Sequence, residues 1–119
     1  MSEPGDRKPI LSAVFCATAA GNEPVREWLL GLSRDDRRPV GFDIKTARYG
    51  WPPGMSLIRK LEPDLWEVRS HVNDGIARTL FTVTGDKMVL LHGIVKKSQK
   101  TPAADLKTAK QRLTDLTER

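Results

Sequence analysis

Cysteine is nearly absent from this chain, and Cys16 is its only thiol. One cysteine excludes an internal disulfide and any four-cysteine metal site, and it suits a reducing, cytosolic setting. Cys16 lies in the apolar string Val14-Phe15-Cys16-Ala17, a pattern of core packing rather than of an exposed nucleophile. No apolar run reaches the roughly 18 residues a membrane span requires, so no membrane partner is expected. Also missing are an acidic cluster for a two-metal phosphodiester site, a His-x-x-x-His pair, a glycine-rich phosphate loop before a helix, and a serine elbow. Metal-dependent nuclease and nucleotidase chemistry both weaken on these grounds, and no metal or cofactor is expected.

What the chain does have is a placed charge. Residues 87–112 hold seven Lys/Arg against the single acid Asp105, whereas the formal total over 119 residues is only +5. The remainder is close to balanced, so the excess is local. Local cations suit a polyanion, a phosphate or an acidic protein partner. Hydrophobic content of 39% and charged content of 29% are ordinary for a globular chain, and the length fits one domain over 10–119 behind a flexible tail over 1–9. Arg7-Lys8 ahead of residues 10–20 imitates a secretory leader. Glu3 and Asp6 spoil its basic start, and Val14 and Phe15 suit a first strand equally well.

Periodicity marks the elements. After the first strand, Asn22 is placed to cap a helix carrying Val25, Trp28, Leu29 and Leu32 at helical spacing. Ser33 with Asp36 three residues later offers a second cap, opening a helix with Val40, Ile44 and Ala47 as its apolar stripe. Pro39 and Gly41 are expected to kink or delay it. Gly50-Trp51-Pro52-Pro53-Gly54 reads as a rigid loop leading into strand-like residues near Leu57. Leu65–Val72 alternates, Asn73-Asp74-Gly75 signals a hairpin turn, 76–84 pairs back, and Gly85-Asp86 turns into 88–95. That last run is almost continuously apolar and is expected at the middle of the sheet. Thr101 is read as the cap of a closing helix with Pro102 at its first position and Leu106, Ala109, Leu113 and Leu116 on one face. The fold class is therefore α+β: strand, two helices, antiparallel meander and C-terminal helix.

Alternation also places the charges. Arg69 shares a strand face with Glu67 and His71, Arg78 sits in mid-strand, and Lys96-Lys97 end the next strand with opposite directions. A mid-sheet charge is costly unless it is paired, as with Glu67, or faces a groove, which makes Arg78 the most telling position. A guanidinium and ammonium cluster can neutralise a pentavalent phosphate without metal.

Leu65-Trp66-Glu67-Val68-Arg69, Ile76-Ala77-Arg78-Thr79-Leu80-Phe81 and, most specifically, Leu90-Leu91-His92-Gly93-Ile94-Val95-Lys96-Lys97-Ser98-Gln99-Lys100-Thr101-Pro102 resemble the HigB-like, phage-derived branch of the RelE/ParE toxin superfamily. The likeness covers about residues 10–118. It implies a RelE-like fold and a toxin of a type II toxin–antitoxin system, a metal-independent endoribonuclease that cuts messenger RNA in the ribosomal A site and so inhibits translation. Its implied partners are a cognate helix-turn-helix antitoxin, the ribosome and messenger RNA in the cytoplasm. Carried over by position, Arg69, Arg78 and Lys96 are the catalytic cations, and Lys97, Lys100, Lys107, Lys110 and Arg112 are the RNA-binding set. His71 and His92 are the candidate acid and base, although His92 also suits the core and His71 also suits an exposed turn. Lys107, Lys110 and Arg112 equally describe a solvated helix face. Trp51 and Trp66 fit base stacking or core packing. RelE relatives commonly place an aromatic hydroxyl after the last strand, and the only tyrosine here, Tyr49, precedes the meander. A ParE-like gyrase inhibitor that cuts no RNA and a phage-derived nucleic-acid-binding regulator explain the same basic stretch.

Overall fold

The computed structural model describes residues 8–51 and 57–118. The first seven residues of the expected tail, and Pro52, Pro53 and Gly54 of the expected rigid loop, lie outside them. In chain order the elements are β1 (Ser12–Phe15), α1 (Pro24–Gly31), α2 (Arg34–Tyr49), β2 (Ile58–Glu62), β3 (Leu65–Val72), β4 (Gly75–Thr84), β5 (Lys87–Lys96) and α3 (Ala103–Thr117). They form one five-stranded sheet of order β1-β5-β4-β3-β2, antiparallel except for the parallel pairing of β1 with β5. This is the expected α+β architecture and is compatible with a RelE-like fold. Among the described residues no helix is long and apolar enough to cross a membrane.

The two faces of the sheet carry separate cores. Val25 of α1 and Val40, Ile44 and Ala47 of α2 pack on one face with Ile58, Val68, Ala77, Phe81, Met88 and Leu90. On the other face α3 places Ala109 against Leu65, Leu80, Val89 and Leu91, with Leu106, Leu113 and Leu116 around it. Both apolar helix stripes are thus buried as their spacing predicts. Trp51 and Trp66 meet edge to face at 5.0 Å and pack beside the first core, so both are core residues.

Local chemistry explains the boundaries. Ser33 Oγ accepts from the Asp36 N–H at 3.2 Å, the expected cap of α2. Arg37 reaches back to the carbonyls of Leu29, Leu30 and Leu32, closing the C-terminal end of α1. Helix α2 runs through Pro39 without stopping. The N–H that Pro39 lacks would have met the carbonyl of Asp35, which lies in the exposed first turn and is open to solvent. Asn22 does not cap α1: Glu23 holds the cap position without a side-chain bond, and the Asn22 N–H donates to Thr18 Oγ1. Nor does Thr101 cap α3, whose cap position is Pro102.

The central strand is β4, not the apolar β5. Strand β5 is apolar because β1 extends the sheet beyond it while α1 and α3 cover its two faces. At Gly75, φ is +150° and an added Cβ would stand 2.7 Å from the Lys96 carbonyl, so the Asn73-Asp74-Gly75 hairpin requires glycine there. Gly93 is tight for another reason, because an added Cβ would fall on the Trp28 ring where α1 crosses β5. Gly93→Ala is expected to destabilise the fold by about 1–3 kcal/mol, the usual cost of overpacking, measured by urea unfolding. An unchanged midpoint would show that Trp28 moves aside freely.

Candidate functional site

Register, rather than chain order, assembles the basic face. Cross-strand partners share a face, and β3, β4 and β5 align Arg69 with Arg78 and Ile94, His71 with Ile76 and Lys96, and Glu67 with Leu80 and His92. These three rows all lie on the face covered by α3. Arg59 of β2 pairs with Glu67 and joins the third row. Arg69, Arg78, Lys96, His71 and His92 therefore occupy one side of the sheet, with Lys97 just beyond the end of β5.

Lys96 reaches this side because of a bulge. Leu80 pairs with His92 and Phe81 with Leu90, leaving Leu91 extra on β5. Leu91 and His92 both face α3 as a result, and the alternation beyond them is reversed.

The centre of the face is closed. Arg78 is fully buried, and its Nη2 donates to the Ser98 carbonyl. Glu67, 1% exposed, stands with Oε2 3.8 Å from Arg78 Nε and Oε1 3.8 Å from Arg69 Nε. Thr101 Oγ1 donates to Glu67 Oε2 at 2.5 Å, which is the task this threonine performs in place of capping α3. Among the described residues Arg78 Nε and Nη1 have no hydrogen-bond partner. Burial pushes the Arg78 pKa below its ordinary value; the Glu67 carboxylate opposes that shift, while Arg69 and Arg59 add to it. Of the two alternatives for a mid-sheet charge, Arg78 takes the first: it lies against Glu67 and faces no groove, with its guanidinium buried and tied to the Ser98 carbonyl.

Beside this closed centre lies an open groove of about 440 Å³, lined by Asp43, Leu57, Arg69, His71, Ile76 and Gln99. Strand β2 pairs with β3 only as far as Val68, and the Arg69 N–H bonds to the Leu57 carbonyl, so the groove wraps the end of the sheet from α2 to the basic face. Of the three expected catalytic cations, Arg69 alone lines it. His71 is exposed there, and Asp43, half-buried on α2, brings a carboxylate.

The remaining expected residues divide. Lys97, Lys100 and Lys107 are exposed. Lys110 pairs with Glu62 at 3.1 Å. Arg112 turns inward, donating to the Leu91 carbonyl at 2.8 Å and lying 3.1 Å from His92 Nδ1, so it ties α3 to β5 instead of gripping a ligand. His92 Nε2 stands 2.7 Å from Asp105 Oδ1. A guanidinium only donates, so Nδ1 is the acceptor and Nε2–H donates to Asp105, leaving neither ring nitrogen available to a substrate. Arg59, Asp43, Gln99 and Thr101 were missed as site residues. Arg59 and Asp43 come from elements outside the charged run, and Gln99 and Thr101 act through a loop that periodicity does not place.

Among the described residues no group of three His, Cys, Asp or Glu can hold a metal ion. The arrangement can bind an oxyanion at Arg69 and offers an imidazole within the same groove. A family model described as phage derived protein Gp49-like (DUF891) matches residues 27–114, a span that takes in every residue of the basic face. No curated protein matches the chain.

The Glu67–Arg78 contact carries a stability consequence. Glu67→Ala leaves a buried cation without its counter-charge and is expected to cost about 3–5 kcal/mol in chemical unfolding. The double variant Glu67→Leu with Arg78→Met removes both charges and is expected to recover most of that loss. Equal destabilisation in single and double variants would show that burial volume, not charge, decides stability here.

Proposed function

The chain belongs to the Gp49-like family of phage-derived proteins, a family associated with toxin–antitoxin systems, and from that premise we propose that it is a RelE/HigB-type toxin that cuts messenger RNA on the ribosome without a metal. The observation that carries this reading is the alignment of Arg69, Arg78 and Lys96 on adjacent strands of one face, beside a groove holding His71. In such chemistry the ribose 2′-hydroxyl attacks the adjacent phosphate, a base takes its proton, and cations stabilise the equatorial oxygens. Arg69 and Lys96 act as phosphate clamps, Arg78 stabilises the developing charge, and His71 is the titratable group in the groove. His92 acts in this reading only by holding α3 on the sheet. Lys97, Lys100 and Lys107 steer RNA or ribosomal RNA. The cognate partner is a helix-turn-helix antitoxin, and the setting is the cytoplasm.

The burial of Arg78 favours a second reading, a ParE-like gyrase inhibitor or a regulatory nucleic-acid-binding protein that cuts nothing. One experiment separates the two. Brief induction followed by primer extension on cellular messenger RNA is expected to show new ends that require translation. Arg69→Ala and Lys96→Ala are each expected to lower the cleavage rate by about 10²–10³, the usual effect of deleting one donor to a developing oxyanion. Growth arrest that persists without new RNA ends, or survives Arg69→Ala and Arg78→Ala unchanged, would overturn the nuclease reading in favour of the second.

A further inference from the structure

The residues that seal Arg78 are held down by the site itself. Between the end of β5 at Lys96 and the start of α3 at Ala103, the connection is tied at three successive points. The Ser98 carbonyl accepts from Arg78 Nη2, Gln99 lies 3.5 Å from Arg69 Nη2 through both its carbonyl and its Oε1, and the Thr101 hydroxyl donates to Glu67. A further bond within the cover, from Ser98 Oγ to the Lys100 carbonyl at 3.0 Å, keeps it compact.

Beneath this cover Arg78 is incompletely satisfied. Its Nε and Nη1 are buried without a hydrogen-bond partner among the described residues, and the Glu67 oxygen nearest Nε is at 3.8 Å, outside hydrogen-bond range. A guanidinium that is fully buried, faces a like charge across the ladder and leaves two of its nitrogens unpaired is costly to keep. An oxyanion suits the edge that Nε shares with Nη2, since those two parallel N–H groups match two oxygens of a phosphate once the Ser98 carbonyl is released.

We propose that residues 98–101 are a latch over a closed oxyanion subsite at Arg78, that the Thr101–Glu67 hydrogen bond is its catch, and that a phosphate group displaces the Ser98 carbonyl from Nη2 and bridges Nη2 and Nε. The physiological source of that phosphate, an RNA backbone, rests on the function proposed above; the latch itself does not. Glu67 serves here as a positioning residue. While the catch is closed, its carboxylate holds Arg69 and Arg78 apart from solvent anions and repels them. When Thr101 lets go, the cover loses the bond that anchors it nearest α3, and Arg69, already in the open groove, lies next to the anion's path inward.

The test uses the full chain, with inorganic phosphate as the probe and arginine Nε–H signals read by ¹⁵N NMR. Compared with the wild type, Thr101→Val removes the donor and is expected to lower the phosphate midpoint for the Arg78 Nε–H signal by about tenfold, the size of one charge-assisted hydrogen bond. Solvent exchange of that Nε–H is expected to speed up to a similar degree. Thr101→Ser retains the hydroxyl and is expected to keep both quantities at wild-type values, and Gln99→Ala, which loosens a separate tie on the same cover, shifts both in the direction of Thr101→Val. Unchanged midpoint and exchange in Thr101→Val overturn the latch. Phosphate that perturbs Arg69 and the exposed lysines but leaves Arg78 Nε–H unmoved in every variant overturns the subsite. Neither readout depends on RNA cleavage, so a chain that cuts no RNA can still show the latch, and a chain without the latch can still cut RNA.

Discussion

One buried guanidinium governs the arrangement of everything around it. Arg78 lies at the centre of the central strand with no exposure, and register places Arg69 directly across from it. Two cations opposed in a ladder repel each other, and removal from water adds a larger penalty. Glu67, two residues from Arg69 on the same face, is the only carboxylate among the described residues that pairs with either, and it stands 3.8 Å from both. Arginine tolerates such a place because its delocalised charge is weakly hydrated and its proton is held even when burial lowers the pKa. Thr101 is then committed to Glu67 and Ser98 to Arg78, which determines the path of the chain into α3.

The second constraint is geometric. Counted outward from Met88 and Leu90, which pack toward α1 and α2, regular alternation would send Lys96 to that same face, away from Arg78. The extra residue at Leu91 reverses the count, so that Ile94 and Lys96 join Arg78 while Val95 turns to the other core. The same bulge presents His92 to α3, where Asp105 and Arg112 engage its two ring nitrogens. A residue that looks chemical in the sequence is thereby structural, and the helix that bears Lys107 and Lys110 is held in position by the two charged residues that flank His92.

Much of this fold was legible from spacing alone. The Ser33 cap, the Val40–Ile44–Ala47 stripe, the Asn73-Asp74-Gly75 hairpin and the apolar face of α3 are local patterns with local causes, and each appears where it was expected. The order of strands was not legible. Apolar continuity marked β5 as central, but β4 holds that place while carrying Arg78, Thr79 and Thr82 in buried positions, so polarity concealed it. The bulge was equally silent, since nothing in the string Leu90-Leu91-His92-Gly93 distinguishes a bulged strand from a regular one. Site residues followed the same division. Arg69, Arg78 and Lys96 were found from their strands, whereas Asp43 and Gln99 enter the groove from a helix and a loop whose docking depends on tertiary contacts.

Burial divides the two arginines of the site into different states. Arg69 is about one-quarter exposed and faces the groove, so an anion can reach it without any rearrangement. Arg78 cannot be reached until residues 98–101 move, because the Ser98 carbonyl occupies its outward nitrogen. An anion arriving at Arg69 also weakens the contact that Glu67 makes there, since the carboxylate and the incoming charge compete for one guanidinium.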